Sequence, residues 1–142
     1  MQPTGGDVDE FVAAVTPAVR RRDAGTLIAL LRRVTGQEPV LWGSIIGFGQ
    51  YHYRYDSGRE GDAGGAGFAP RKAATVVYLP DGTGAHAEAL ARLGPHTTGL
   101  VCLYLKNLDR VDLGVLEEIM RKSYSTVTAG VYALRAGQGS DG

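Results

Sequence analysis

The chain has 142 residues, 44% of them hydrophobic, with 15 Lys plus Arg against 15 Asp plus Glu. That composition suits one packed core and excludes a wholly disordered chain, while the balanced charge argues against a dedicated nucleic-acid binder. The single cysteine, Cys102, excludes an intrachain disulfide and a Cys-rich zinc site; with no membrane-length apolar run and no signal-peptide pattern, a reduced, cytoplasmic protein is expected.

Residues 1–6 are polar and Gly-rich and read as a flexible N-terminus. Asp7 with Glu10 three residues later has the form of a capping box. Phe11, Val12, Val15 and Val19 recur at helical spacing, with Pro17 set to end or kink that helix. Asp23 opens a second helical pattern, in which Leu27, Ile28, Leu30, Leu31 and Val34 form one apolar face. Gly36 stops it, and Pro39 marks extended chain.

Residues 45–55 favour a strand. Alternation places Phe48, Gln50, His52 and Arg54 on one face and Gly47, Gly49, Tyr51, Tyr53 and Tyr55 on the other. Gly47 and Gly49 weaken such a strand unless a bulge forms or something approaches its backbone closely. Residues 56–67 read as a long Gly-rich loop. Strands follow over 68–72, with Pro70 at an edge or bulged position, and over 75–79. "LPDGTG" is a turn, 85–93 a short helix ended by Gly94-Pro95, 99–106 a fourth strand and "NLDRVD" a loop. Asp112 caps the last clear helix, with Leu113, Leu116, Ile119 and Met120 as its apolar face. Residues 126–136 add a short strand or an extended arm, and 137–142 form a polar tail. Strands grouped without alternating helices predict a single α+β domain over 7–136. Its mostly antiparallel sheet should carry the N-terminal helices and the C-terminal helix packed on it.

The runs "RRVTGQEPVLWGSIIGFGQYHYRYDSGREGD", "GFAPRKAATVVYL" and "LGPHTTGLVCLYLKNLDRVDLGVLEEIMRKSY" resemble the YdhG-like bacterial domains over about residues 20–125. The resemblance implies a compact α+β fold and, for some relatives, a frataxin-like, iron-binding role; it implies no catalytic activity. The chain departs from the family pattern at Ala63, Gly64, Gly65 and Ala69. It also departs at Pro95, Thr98 and Leu100, where the family carries basic residues.

The stretch running from Tyr51 into the charged turn carries the residue types best suited to a binding site. Arg59, Arg71 and Lys72 are the best anion-binding candidates, because two guanidinium forks and an ammonium suit phosphate or carboxylate oxygens. They either converge on a ligand or pair internally with Asp56, Glu60 or Asp62. If the strands before and after the loop form a hairpin, Arg71 returns near Tyr53 or Tyr55. Tyr51 and Tyr53 would lean over the same surface, and His52 could act as base, ligand or simple hydrogen-bonding core residue. Three functions stay open: an anion-binding or interaction module built on Tyr51, His52, Tyr53, Arg59, Glu60, Arg71 and Lys72; a weak iron chaperone; and an enzyme using His52, Glu60 and Arg59. An anionic small molecule or an acidic protein partner is expected, with no nucleic acid and no membrane. No dedicated metal site or cofactor is expected, because no ligand spacing supports one.

Overall fold

The computed structural model describes residues 3–134, so the expected tail at 137–142 lies outside the described residues. Residues 3–6, expected to be loose, are tied down at Thr4, whose N–H donates to the Leu41 carbonyl at 2.9 Å. Helix α1 spans Val8–Ala13, and the Asp7 side chain caps it by accepting from the Glu10 N–H at 3.1 Å. Helix α2 spans Ala18–Thr35 and starts directly after Pro17 rather than at Asp23. Proline suits that position because its missing N–H would go unsatisfied there anyway. Asp23 is instead buried mid-helix at 1% exposure, accepting the Leu108 N–H at 3.1 Å. Gly36 ends α2 in the left-handed region, φ 69°.

The strands are β1 (Val40–Trp42), β2 (Ile45–Tyr55), β3 (Glu60–Pro70), β4 (Thr75–Tyr78), β5 (Thr97–Thr98), β6 (Cys102–Leu105) and β7 (Tyr132–Leu134). Six follow the antiparallel order β1-β2-β3-β4-β6-β5, while β7 pairs in parallel with β2. The remaining helices are α3 (Ala87–Leu90) and α4 (Leu113–Thr128). The fold is therefore α+β: α2 and α4 pack on the sheet and on each other. Leu27, Leu31, Phe48, Phe68, Leu103 and Leu116 fill the space between, each fully buried. Asp112 caps α4 through the Val115 N–H at 3.1 Å. Leu116, Ile119 and Met120 face inward, but Leu113 in the first turn is 40% exposed.

Three expectations are revised by the structure. The expected helix over 85–93 shrinks to the single turn of α3 behind a 3-10 turn at Thr83–His86. The expected strand over 99–106 is present but shorter, as β6 (Cys102–Leu105), which pairs with β4 and forms a tight hairpin with β5. Most consequential, residues 60–70 are not loop. They form an eleven-residue strand paired with β2 from Ile46↔Phe68 to Arg54↔Glu60, turning only over 56–59. Pro70 therefore ends an interior strand, and no edge strand or bulge is needed to house it.

Glycine forms this ladder because aromatic rings lie where its side chains would stand. A Cβ at Gly47 would come within 2.7 Å of the Trp42 indole, and one at Gly65 within 2.6 Å of Tyr124. Gly49 adopts φ +67° and also lies under Tyr124. Its left-handed conformation breaks the alternation of β2: the buried residues are Ile46, Gly47 and Phe48 before it and Tyr51 after it.

Gly49→Ala should destabilise the fold by roughly 2–4 kcal/mol, combining left-handed strain with displacement of the Tyr124 ring. Gly25→Ala, in α2 with nothing within 4 Å, should instead stabilise by about 0.5–1 kcal/mol. Urea unfolding midpoints of the two variants should move in opposite directions.

Candidate functional site

The β2–β3 register sorts the expected site residues into separate places. Cross-strand pairing sets His52 opposite Asp62 and Arg54 opposite Glu60. The His52 ring lies between two carboxylates, Nδ1 at 2.9 Å from Asp62 Oδ1 and Nε2 at 2.9 Å from Glu60 Oε1. Glu60 also accepts from Arg54 Nε at 3.2 Å. Both ring nitrogens can donate only as imidazolium, and the hydrogen bonds to Asp62 and then Glu60 raise the His52 pKa above its ordinary value. The same contacts, from His52 first and then Arg54, hold the Glu60 carboxyl below its usual range. A general base needs a free lone pair, and neither nitrogen offers one.

Arg59 does not join that cluster. Its guanidinium lies over the Tyr55 ring, 5.4 Å from the centroid, a cation–π contact. Tyr51 is buried at 3% exposure. Its ring contacts Tyr53 and Tyr132, with centroids 6.1 and 6.0 Å apart, and Tyr53 in turn contacts Tyr55. The tyrosines thus stack along β2, and Tyr53 also covers Gly61 of β3.

Arg71 lies at the other end of the hairpin and does not return near Tyr53 or Tyr55. It follows Pro70, ten residues beyond Glu60 along β3, which at about 3.3 Å per residue is roughly 33 Å. Its Nη1 donates to Ser44 Oγ at 2.7 Å, just before β2. Lys72 is exposed on the same turn. The seven expected residues therefore do not converge, because a strand separates Arg59 and Glu60 from Arg71 and Lys72. Among the described residues, no group of three or more His, Cys, Asp or Glu is placed to hold a metal ion.

What the turn at 71–74 does meet is a cavity of about 550 Å³. One wall is Ala73 and Ala74; the facing wall is Pro95, His96 and Thr97; Tyr104, Lys106 and Asn107 come from β6 and its exit; Arg110 comes from the 3-10 turn Leu108–Arg110. Three of these residues are basic and none is acidic. Neither Lys106 nor Arg110 makes an ion pair through its side chain among the described residues. His96 is oriented by its own backbone, Nδ1 donating to the Gly94 carbonyl at 2.7 Å, and Nε2 has no hydrogen-bond partner among the described residues. Asn107 Oδ1 accepts from Arg22 Nη2 at 2.7 Å and from the Asp109 N–H at 2.9 Å, so its amide N–H₂ remains as a donor. The Tyr104 hydroxyl is pushed up in pKa, chiefly by the neighbouring Cys102 thiol, and remains a phenol donor. The cavity is therefore rich in donors and poor in acceptors.

Arg20 braces this cavity from behind. It is 5% exposed, donating from Nε to the Arg71 carbonyl at 3.0 Å and from Nη1 to the Lys106 carbonyl at 2.6 Å. It makes no ion pair among the described residues. A buried guanidinium solvated by two carbonyls ties the two chain segments together and adds positive potential behind them. In sequence, Arg20 is one of three consecutive arginines and cannot be told from a solvated charge run.

A second buried polar cluster also escapes sequence reading. Asp81 accepts from Ser123 Oγ at 2.6 Å and contacts His86 Nε2 at 2.9 Å, with the Asp81 and His86 side chains 4% and 1% exposed. Burial works to raise the Asp81 pKa, but the hydrogen bonds from His86 and Ser123 outweigh it and the net shift is downward. The carboxylate sits between the other two groups, so Ser123 donates to Asp81 and has no base. The cluster is a staple between the "LPDGTG" turn and α4, without the order of a nucleophilic triad.

Two outcomes follow. The raised His52 pKa means its contribution is complete below the unfolded value and is lost as pH climbs through the folded one. The parent's advantage over His52→Gln in urea should therefore be full at mildly acidic pH and shrink as pH rises above about 6.5. Arg20→Met should cost about 2–4 kcal/mol by leaving two carbonyls without a charged donor, read as a lower thermal midpoint. No protein-family model matches the chain, and neither a curated protein nor a solved structure matches it.

Proposed function

We propose that this protein is a cytoplasmic, YdhG-like binding module that takes up a small anionic molecule in the cavity between the 71–74 turn and the β5–β6 hairpin. One observation carries the proposal: about 550 Å³ of concave surface holds His96, Lys106 and Arg110 with no carboxylate among its lining residues. Cavities of this size are typical of small-molecule sites. Two cations, Lys106 and Arg110, set in a concave surface without a neighbouring carboxylate give it a positive potential that draws an anion. The concave shape favours a small molecule over an acidic protein surface. The anion-binding role expected of the "PRK" segment is kept, but its place moves to the cavity beside that turn. Among the described residues, no helix is long and apolar enough to cross a membrane, which fits a protein that meets its ligand in solution. The iron-chaperone and enzyme alternatives have less to rest on, since the metal needs a ligand cluster and the enzyme needs a free His52 nitrogen.

The test is a thermal-shift screen of small carboxylates and phosphates on the parent and on Lys106→Gln/Arg110→Gln. Both residues are exposed and outside the core, so the double variant should melt near the parent without ligand. An anion at about 100 times its Kd should stabilise the parent by about 2.7 kcal/mol, several degrees for a domain of this size. The double variant should lose most of that shift. Equal shifts in both proteins, or none across the screen, would overturn the proposal.

A further inference from the structure

Resting on that reading of the cavity, we infer that its ligand is an amphipathic monoanion: a planar aromatic body carrying one carboxylate, as opposed to a nucleotide or other polyphosphate. The cavity is polarised along β6. Tyr104 and Lys106 are two residues apart, so they project from the same face of the strand roughly 6–7 Å from each other. Lys106 is joined at its end by Arg110 and by the free amide donor of Asn107. Tyr104 pairs across the hairpin with Thr97 and presents its ring at 37% exposure. A head group at the Lys106 end therefore leaves the rest of the ligand lying over an aromatic ring.

The walls support the same division. Ala73, Ala74 and Pro95 offer methyl and ring carbons, and proline has no N–H to give. Polyphosphate sites rely on a row of backbone amides or on a metal ion to spread several negative charges. Here two permanent cations and one amide sit at one end, enough for one carboxylate held by charge-assisted hydrogen bonds. At the aromatic end the polar groups are the Thr97 hydroxyl, the Tyr104 phenol and His96. Because His96 Nδ1 is committed to Gly94, Nε2 of the neutral ring is an acceptor, which suits a hydroxyl or amine hydrogen on the far side of the ligand ring. Stacking on Tyr104 suits a flat body better than a branched aliphatic one.

The experiment is isothermal titration with four probes: 1-naphthoate, its neutral amide 1-naphthamide, inorganic pyrophosphate and acetate. Naphthoate should bind the parent at least tenfold more tightly than each of the other three. Tyr104→Ala should weaken naphthoate at least fivefold and leave pyrophosphate and acetate unchanged, while Tyr104→Phe should retain naphthoate binding. Lys106→Gln should weaken naphthoate and bring it close to naphthamide. If pyrophosphate binds the parent as tightly as naphthoate and Lys106→Gln abolishes it, the cavity is an anion site but the aromatic-acid assignment is wrong. The assignment is equally wrong if Tyr104→Ala leaves naphthoate binding intact. If no anionic probe binds, or Lys106→Gln changes none of them, the cavity itself is not the site and both proposals fall.

Discussion

The arrangement on which the sheet depends is the contact between aromatic rings and bare glycine backbone along β2 and β3. Trp42 lies on Gly47 and Gly64, Tyr124 on Gly49 and Gly65, and Tyr53 on Gly61. Each glycine costs about 0.5–1 kcal/mol in a strand through lost chain entropy, so five cost about 2.5–5 kcal/mol together. Burying a large ring removes about 150–250 Å² from water, worth up to roughly 4–6 kcal/mol. Trp42, which is buried, gains most of that and the partly buried Tyr124 ring a share of it, together enough to offset the glycines. The glycines belong to the sheet because the rings need the room, and a larger residue at Gly49 or Gly65 would push Tyr124, and with it α4, off the sheet.

The same hairpin has two electrostatic ends. At its turn, cross-strand pairing brings opposite charges face to face, so His52, Arg54, Glu60 and Asp62 neutralise one another. At its base the cations come from elements that bring no acid opposite them: Arg20 from α2, Lys106 from the end of β6 and Arg110 from the following turn. The nearby Asp23 and Asp109 are both engaged by Arg22. An exposed network that is already balanced has little to offer an anion, whereas the unbalanced end does, and this difference places the proposed site.

Buried polar staples hold the cavity wall in position. Thr83, in the 3-10 turn before α3, donates its hydroxyl to the Gly99 carbonyl at 2.7 Å and its N–H to the Leu100 carbonyl at 2.9 Å. The start of the same connection is tied to α4 through Asp81, His86 and Ser123. The β5–β6 hairpin is thus fixed at its tip to a turn that is itself fixed to the core helix. Its short strands, two and four residues, would not hold such a wall by ladder hydrogen bonds alone.

Much of the fold was legible in local chemistry. The Asp7 and Asp112 caps, the Gly36 stop and the apolar face from Leu27 to Leu31 are set by residues within one or two helical turns of each other. The bounds of β2 follow from an aromatic run between turn signals. What local chemistry could not show depends on residues far apart in the chain. The run "GDAGGAG" has the composition of a loop, and only Tyr124 and Trp42, distant in sequence, make it a strand. Arg59 and Arg71 are twelve positions apart and look like one clamp, but an eleven-residue extended strand carries them to opposite ends. Lys106, Arg110, His96 and Arg20 look like scattered surface charges until β-pairing and the seating of α2 gather them. Caps, stops and periodicity are interactions over a few residues, so the sequence alone determined them; which charges share a cavity depends on chain crossings, and only the tertiary structure decided that.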